Sequence, residues 1–343
     1  MPTLEFSRRR AALLSTATAA ALLLTACGSD SDSDAEEDNG NEEAQTEVTE
    51  IEDDHGTQEL PEDPDSIVAT DNRSFRTLEE FGVELTAAPQ DIMDPETHSY
   101  AEDEDILNLG NHREPDFEQL VAAEPDLIIN GQRFAQYYED LEEYAPDATI
   151  VEFELDEEGD ETLDENLIHK TEALGEIFGE QEAAEELVTA FQDEIDRATE
   201  AYDGESTVMG LVTSGGDINY AAPSVGRAVG PLFDMVPFEP ALEVDDASTD
   251  HEGDDISVEA IADSNPEWLI VMDRDARMSG DEGEEYSPAQ ELIEESEALQ
   301  DVPAVQNDQV IYMPGNLYLT EDIQAYTEAL ASIADAMEEA QDQ

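Results

Sequence analysis

Two arginines carry the first chemical signal in this sequence. Arg133 and Arg274 each stand just past a short apolar run, Leu127-Ile128-Ile129 and Leu269-Ile270-Val271. A guanidinium is a planar fork of donors that keeps its charge, and it suits flat, oxygen-rich anions through charge-assisted hydrogen bonds. In open α/β sheets ligands bind beyond the carboxyl ends of the strands, so an arginine just past a strand is placed to meet one. The two arginines lie 141 residues apart, and the stretches that carry them match. Residues 114–133 read EPDFEQLVAAEPDLIINGQR and residues 255–274 read DISVEAIADSNPEWLIVMDR, with Glu118 against Glu259 and Pro125 against Pro266. Each copy reads as a short amphipathic helix, a proline turn and a buried strand. A repeat of this kind points to two lobes built on one plan, with one arginine per lobe facing a shared cleft.

The composition narrows what such a cleft could serve. A chain of 343 residues holds one large or two medium domains. Its 92 acidic residues against 12 basic ones give a formal charge of −80, which excludes nucleic acid and anionic membrane surfaces as electrostatic partners. Hydrophobic residues still make up 39% and recur with clear period, so the chain as a whole is not disordered. The acidity reads as a solvating surface suited to high salt, a halophilic trait; a merely acidic extracytoplasmic protein is the alternative.

The N-terminus reads as an address. Arg8, Arg9 and Arg10 precede an apolar run, Ala11 to Leu24, that is too short to span a membrane as a mature helix. Leu24-Thr25-Ala26-Cys27 resembles a bacterial lipobox, in which the cysteine is lipidated after removal of residues 1–26. Ser7-Arg8-Arg9 leaves twin-arginine export open beside the general route. Cys27 is the only cysteine, so no internal disulfide forms. Residues 27–47 are acidic and of low complexity, a tether that holds the folded part off the membrane.

The folded part divides into an N-terminal α/β lobe over 48–165, a linking helix over 166–203 and a C-terminal α/β lobe over 204–343. Strands are expected at Ser66–Thr70, Thr149–Val151, Val208–Val212 and Val310–Met313, with a final helix from Thr320 to about Met337. A helix starts at Phe75 and stops at Gly82. The helical pattern from Asn166 to Tyr202 would span on the order of 45–55 Å if continuous, and Gly179 allows a break. Trp268 reads as core of the second lobe.

VAAEPDLII, SNPEWLIVMDRDA and QVIYMPGNLYL, in that order, resemble the iron-siderophore family of ABC-transporter substrate-binding lipoproteins, and within it the catecholate-binding members. The likeness covers roughly residues 48–340. It implies a class III periplasmic binding protein fold, two Rossmann-like lobes joined by one long α-helix. It also implies a lipid-anchored, monomeric receptor outside the cytoplasm that hands a ferric siderophore to an ABC permease and has no cofactor of its own. By motif position it casts Arg133, Arg227 (in PSVGR) and Arg274 as ligand-binding arginines, and His251 and Tyr318 as ligand-binding residues that complete the iron's coordination. The chain departs from relatives around His251, and has Thr320-Glu321-Asp322 where they carry a Gly-rich run. Glu118 and Glu259 suit the first turns of their helices as carboxylates near a helix dipole; the resemblance adds docking to arginines of the permease.

An enzyme is disfavoured. Lys170 is the only lysine and lies within the helical pattern, so there is no phosphate loop, and there is no H-E-x-x-H, G-x-S-x-G elbow or cysteine nucleophile. Other ligands for the same fold stay open: a hydroxamate siderophore, haem, a corrinoid, or a divalent metal held by His98, His112 and His251. A purely structural alternative is an acidic cell-surface adhesion lipoprotein.

Overall fold

The computed structural model describes residues 49–155, 161–244, 247–277 and 286–341. The leader, the acidic tether and Cys27 lie outside the described residues. Alternating apolar runs build two sheets. The first pairs Ile67–Ala69 (β1), Ala87–Ala88 (β2), Leu107–Asn108 (β3), Leu127–Asn130 (β4) and Thr149–Glu152 (β5) in the order β3-β2-β1-β4-β5, all parallel. The second contains Thr207–Ser214 (β6), Asp217–Ala221 (β7), Trp268–Asp273 (β8) and Val310–Tyr312 (β9) in the order β7-β6-β8-β9. Here β6, β8 and β9 are parallel, and β7 folds back antiparallel on β6. That hairpin turns on Gly215 and Gly216, both at positive φ (59° and 89°), a backbone that a two-residue loop demands and that glycine adopts freely.

Both sheets are buried on both faces, as parallel sheets must be. The period of two sorts their side chains: Leu127, Ile129 and Val151 enter one cluster while Ile128 and Ile150 enter another. In the second sheet Val208, Val212, Ile270 and Met272 face one cluster, and Met209, Leu211, Leu269 and Val271 the other. Trp268 is 5% exposed and packs in the second lobe's core, as expected.

The internal repeat survives as geometry. Helices Phe117–Ala123 (α1) and Val258–Ser264 (α2) are N-capped by Asp116 and Ser257, whose side chains accept from backbone N–H groups of the first turn. Both end on a left-handed residue, Glu124 (φ 46°) and Asn265 (φ 58°), and then run through Pro125 or Pro266 into β4 or β8. The left-handed cap satisfies late carbonyls, and the proline bars any further helix.

The helical stretch expected over 166–203 takes the break allowed at Gly179 (φ 72°), giving Leu163–Phe178 (α3) and Gln181–Ala201 (α4). Ala173 and Leu174 of α3 pack with the first lobe, while Leu163 and Leu167 pack with the second, as do Val188, Phe191 and Ala198 of α4. These helices therefore belong to both cores. Two boundaries differ from expectation. A hairpin of Glu50–Asp53 and Gly56–Glu59 precedes β1. The closing helix starts at Ile323 and runs to Gln341 (α5), because Glu321 is left-handed (φ 48°) and separates it from a short turn of helix, Leu317–Thr320 (α6).

The contact between α3 and α4 is close enough to test. A Cβ at Gly175 would sit 2.5 Å from the Cβ of Ala184. Gly175→Leu should prise the two helices apart and cost about 1–3 kcal/mol, typical of overpacking. Urea unfolding in molar salt reads this out, and an unchanged midpoint would mean that the contact is not tight.

Candidate functional site

The order β3-β2-β1-β4-β5 changes direction between β1 and β4, and α/β sheets bind ligands outside that switch point. Arg73 follows β1 and Arg133 follows β4. The β1 loop is held from below by Lys170 of α3, whose Nζ lies 2.7 Å from Asp71 Oδ2; both side chains are buried. Asp71 also accepts from Ser74 Oγ (2.6 Å) and the backbone N–H of Arg73 (3.0 Å). The chain's lone lysine is thus a buried strut. Breaking such a pair leaves an uncompensated charge.

Above this floor three guanidinium groups converge on one ring. The Cζ atoms of Arg133, Arg227 and Arg274 lie 5.3, 5.2 and 5.2 Å from the centroid of Tyr318, within cation–π range. Tyr318 is in α6 and 5% exposed. Arg133 Nη2 also donates to the Tyr318 carbonyl (3.0 Å). Arg274 Nη1 donates to Ser214 Oγ (2.9 Å) at the end of β6 and to Asp275 (3.1 Å), while its Nε is buried without a partner. Arg227 rides on the loop after β7, pinned where Tyr326 Oη donates to the Ala228 carbonyl (3.0 Å).

Like charges at this density need an anion. Glu321, 1% exposed, accepts from Arg227 Nε (2.6 Å) and Nη2 (3.2 Å), Arg73 Nη2 (3.3 Å) and Gln132 Nε2 (3.0 Å). Burial alone would raise its pKa, but the charges of Arg227, Arg73 and Arg133 overturn that and hold it at about 2. Arg227 is correspondingly raised, the attraction of Glu321 outweighing burial. Arg133 is lowered by burial and then by Arg227, with Glu321 opposing.

Of the five positions expected to bind ligand, four are brought together: Arg133, Arg227, Arg274 and Tyr318 meet. His251 does not join them. Its ring faces Asp250 (3.7 Å) and Glu252 (4.0 Å) of its own loop. The adjoining hollow is lined by Asp217, Asp254, Asp255 and Glu259, so it repels anions. The histidine that senses the cluster is His112, whose pKa is lowered by burial and then by Arg133, Arg113 and Arg227. Its Nδ1 is buried without a partner. Among the described residues no group of three or more His, Cys, Asp or Glu is arranged to hold a bare metal ion. Glu118 and Glu259 are exposed in the first turns of α1 and α2.

The model of a known family matches residues 67–317, and its description is periplasmic binding protein. The chain belongs to the periplasmic binding protein family. Among curated relatives, the petrobactin-binding protein YclQ of Bacillus subtilis is 27% identical over 292 residues, 83% of this chain and 86% of that protein. The ferric-anguibactin-binding protein FatB of Vibrio anguillarum is 26% identical over 269 residues, 78% of this chain and 80% of that protein. The solved catecholate-siderophore binding protein VctP from Vibrio cholerae shares the fold at TM-score 0.70 and 23% identity, covering 83% of this chain and 98% of that one. The two lobes and helical linker of this periplasmic binding protein are those of its class III members.

Next to Glu321, Asp322 titrates the opposite way. It is fully buried, pairs with Arg76 (3.5 Å) and caps α5 through the N–H of Ala325 (2.7 Å). Burial raises its pKa from 3.8 to about 6, with Arg76 opposing. A raised folded-state pKa means that the folded protein holds the proton longer, so stability falls as pH climbs from about 4 through 6. Glu321, being depressed, adds stability above its unfolded value that is lost as pH falls toward 2. Asp322→Asn keeps the cap and removes the ionisation cost. It should stabilise the protein at pH 7 by on the order of 1–3 kcal/mol, since the upward shift already includes the opposing attraction of Arg76. That gain should vanish by pH 4 in urea titrations; a gain independent of pH would contradict the assignment.

Proposed function

We propose that this chain is an extracytoplasmic substrate-binding protein that captures a ferric siderophore with catecholate donors and delivers it to an ABC permease. The observation that carries the reading is the meeting of Arg133, Arg227 and Arg274 on the ring of Tyr318. Deprotonated catecholates around ferric iron form a flat-faced anion rich in oxygen, the shape that guanidinium forks bind. The names of YclQ as a petrobactin-binding protein and of FatB as a ferric-anguibactin-binding protein support a siderophore as the ligand. The cleft lies between a first lobe over 48–165 and a second over 204–343, linked by the segment 166–203. Tyr318 offers its phenol to the complex; His251 reaches it only if the loop 248–254 swings inward. The protein does no covalent chemistry, and the anionic cargo approaches a chain of charge −80 because concentrated salt shortens the Debye length to about 3 Å at 1 M.

Quenching of Trp268 and tyrosine fluorescence by a ferric catecholate, a ferric hydroxamate and Zn²⁺ tests the ligand class. The ferric catecholate should bind tightest. Arg133→Ala and Arg274→Ala should each weaken it about 10–100-fold, the worth of a charge-assisted hydrogen bond or two. Tighter binding of Zn²⁺ or of the hydroxamate would replace the ligand and leave the fold standing.

In the same reading Cys27 carries the lipid that anchors the protein to the outer face of the membrane, and Glu118 and Glu259 dock on cationic residues of the permease. An iron-uptake assay reads both. Reversing both glutamates to arginine should abolish delivery while binding in solution is retained, and Cys27→Ser should shed the protein into the medium. Normal uptake by the double variant, or a membrane-bound Cys27→Ser, would dismiss the respective role.

A further inference from the structure

The elbow that carries Arg133 is bent against its own preference. Strand β4 ends at Asn130, and Gly131 and Gln132 turn the chain before Arg133. Gln132 is left-handed at φ 44°, a strained backbone for a residue with a Cβ that persists only where neighbours impose it. The neighbour here is Glu154, just past the end of β5. Its Oε1 accepts from the backbone N–H of Gln132, a bond strengthened by the charge of the acceptor. The same oxygen fills the space over Gly131, where a Cβ would sit 2.7 Å from it and 3.0 Å from Cγ of Asp71. Two carboxylates thus crowd one residue, and only glycine lets both approach.

Glu154 is itself held at both backbone polar groups. Its N–H donates to Asp54 Oδ2 (2.5 Å), in the turn of the N-terminal hairpin, and its carbonyl accepts from Asn166 Nδ2 (3.2 Å), in the first turn of α3. Lys170 and Arg73 attract its charge and Asp71 opposes them. On the far side of the elbow, Gln132 Nε2 donates to Glu321 (3.0 Å) and Arg133 Nη2 to the Tyr318 carbonyl (3.0 Å). The bend therefore sends two successive side chains of the first lobe across to the second.

Resting on the siderophore reading above, we infer that Glu154 is a positioning residue for cargo capture: its carboxylate holds the Gly131–Gln132 elbow in its left-handed form and so aims the Arg133 guanidinium. Without that acceptor the Gln132 N–H loses its partner and the left-handed backbone is free to relax, which swings the arginine that follows. A guanidinium fixed before the ligand arrives loses less freedom on binding than one that must be ordered by it. Glu154 acts on the cargo only through Arg133.

Dissociation constants for ferric petrobactin and ferric enterobactin, measured in molar salt, test this role. Glu154→Ala should weaken the better-bound probe about tenfold, and by no more than Arg133→Ala does, because it can lose only what Arg133 supplies. In the Arg133→Ala background the same substitution should cost less than about twofold, the non-additivity of two residues that act as one unit. Glu154→Gln keeps an acceptor oxygen for the Gln132 N–H and should recover affinity to within about threefold of wild type. Equal losses in both backgrounds, no loss in Glu154→Ala, or a Glu154→Gln no better than Glu154→Ala would overturn the inference and leave the siderophore reading standing. A folded wild type that binds neither probe would overturn that reading, and this role with it. Should Glu154→Ala fail to fold by circular dichroism, Gly131→Ala carries the same cycle, since its Cβ presses on the same oxygen.

Discussion

Everything at this site depends on how four guanidinium groups are kept together against their own repulsion. Arg133, Arg227 and Arg274 stand within 5.3 Å of one tyrosine ring, and Arg73 shares a carboxylate with Arg227. The face of the ring offers each cation a weak negative partner. Glu321 supplies the full charge, and its burial makes that charge strong, since attraction between ions grows as the surrounding dielectric falls. Remove it and Arg73 and Arg227 lose the carboxylate they share. A receptor for an anion needs unneutralised cations, yet it must stay folded when empty. A single interior carboxylate meets both needs.

The fold supplies what that compromise requires, namely fixed distances. Arg133 and Arg274 start from the ends of buried parallel strands, β4 and β8, and Ser214 at the end of β6 steadies Arg274. The floor is a buried ion pair, Lys170 with Asp71, reaching from α3 into the loop that carries Arg73. Lobe-to-lobe contacts run through the same place: Asn72 Nδ2 donates to the carbonyls of Leu319 and Thr320 (3.1 Å each), and Arg76 reaches Asp322 and Glu328. A linker of two helices shared by both cores makes wide opening between them costly.

Much of this was legible in the sequence because the signals are periodic. The β4 and β8 stretches are recognisable as copies through a helix, a proline turn and an apolar run, and their arginines fall at strand ends for that reason. Tyr318 and Arg227 carried no such period and could be placed only through family resemblance. Glu321 was invisible: one glutamate among 92 acidic residues looks solvated until the left-handed turn buries it. The one available hint was that Thr320-Glu321-Asp322 stands where relatives have a Gly-rich run. His112 was likewise indistinct, because its position depends on a loop and not on a strand or helix. His251 shows the converse: beside a matching motif in sequence, its ring faces Asp250 and Glu252 of its own loop and lies apart from the arginines.

The central claim is that ferric iron, as an anionic complex, sits against Tyr318 and the arginines. The most direct measurement is a crystal structure of the protein loaded with a ferric catecholate, with anomalous differences collected on both sides of the iron absorption edge. The account predicts a single iron peak within the volume bounded by Arg133, Arg227, Arg274 and Tyr318. A peak in the acidic hollow beside His251, with the arginine cluster empty, would contradict it.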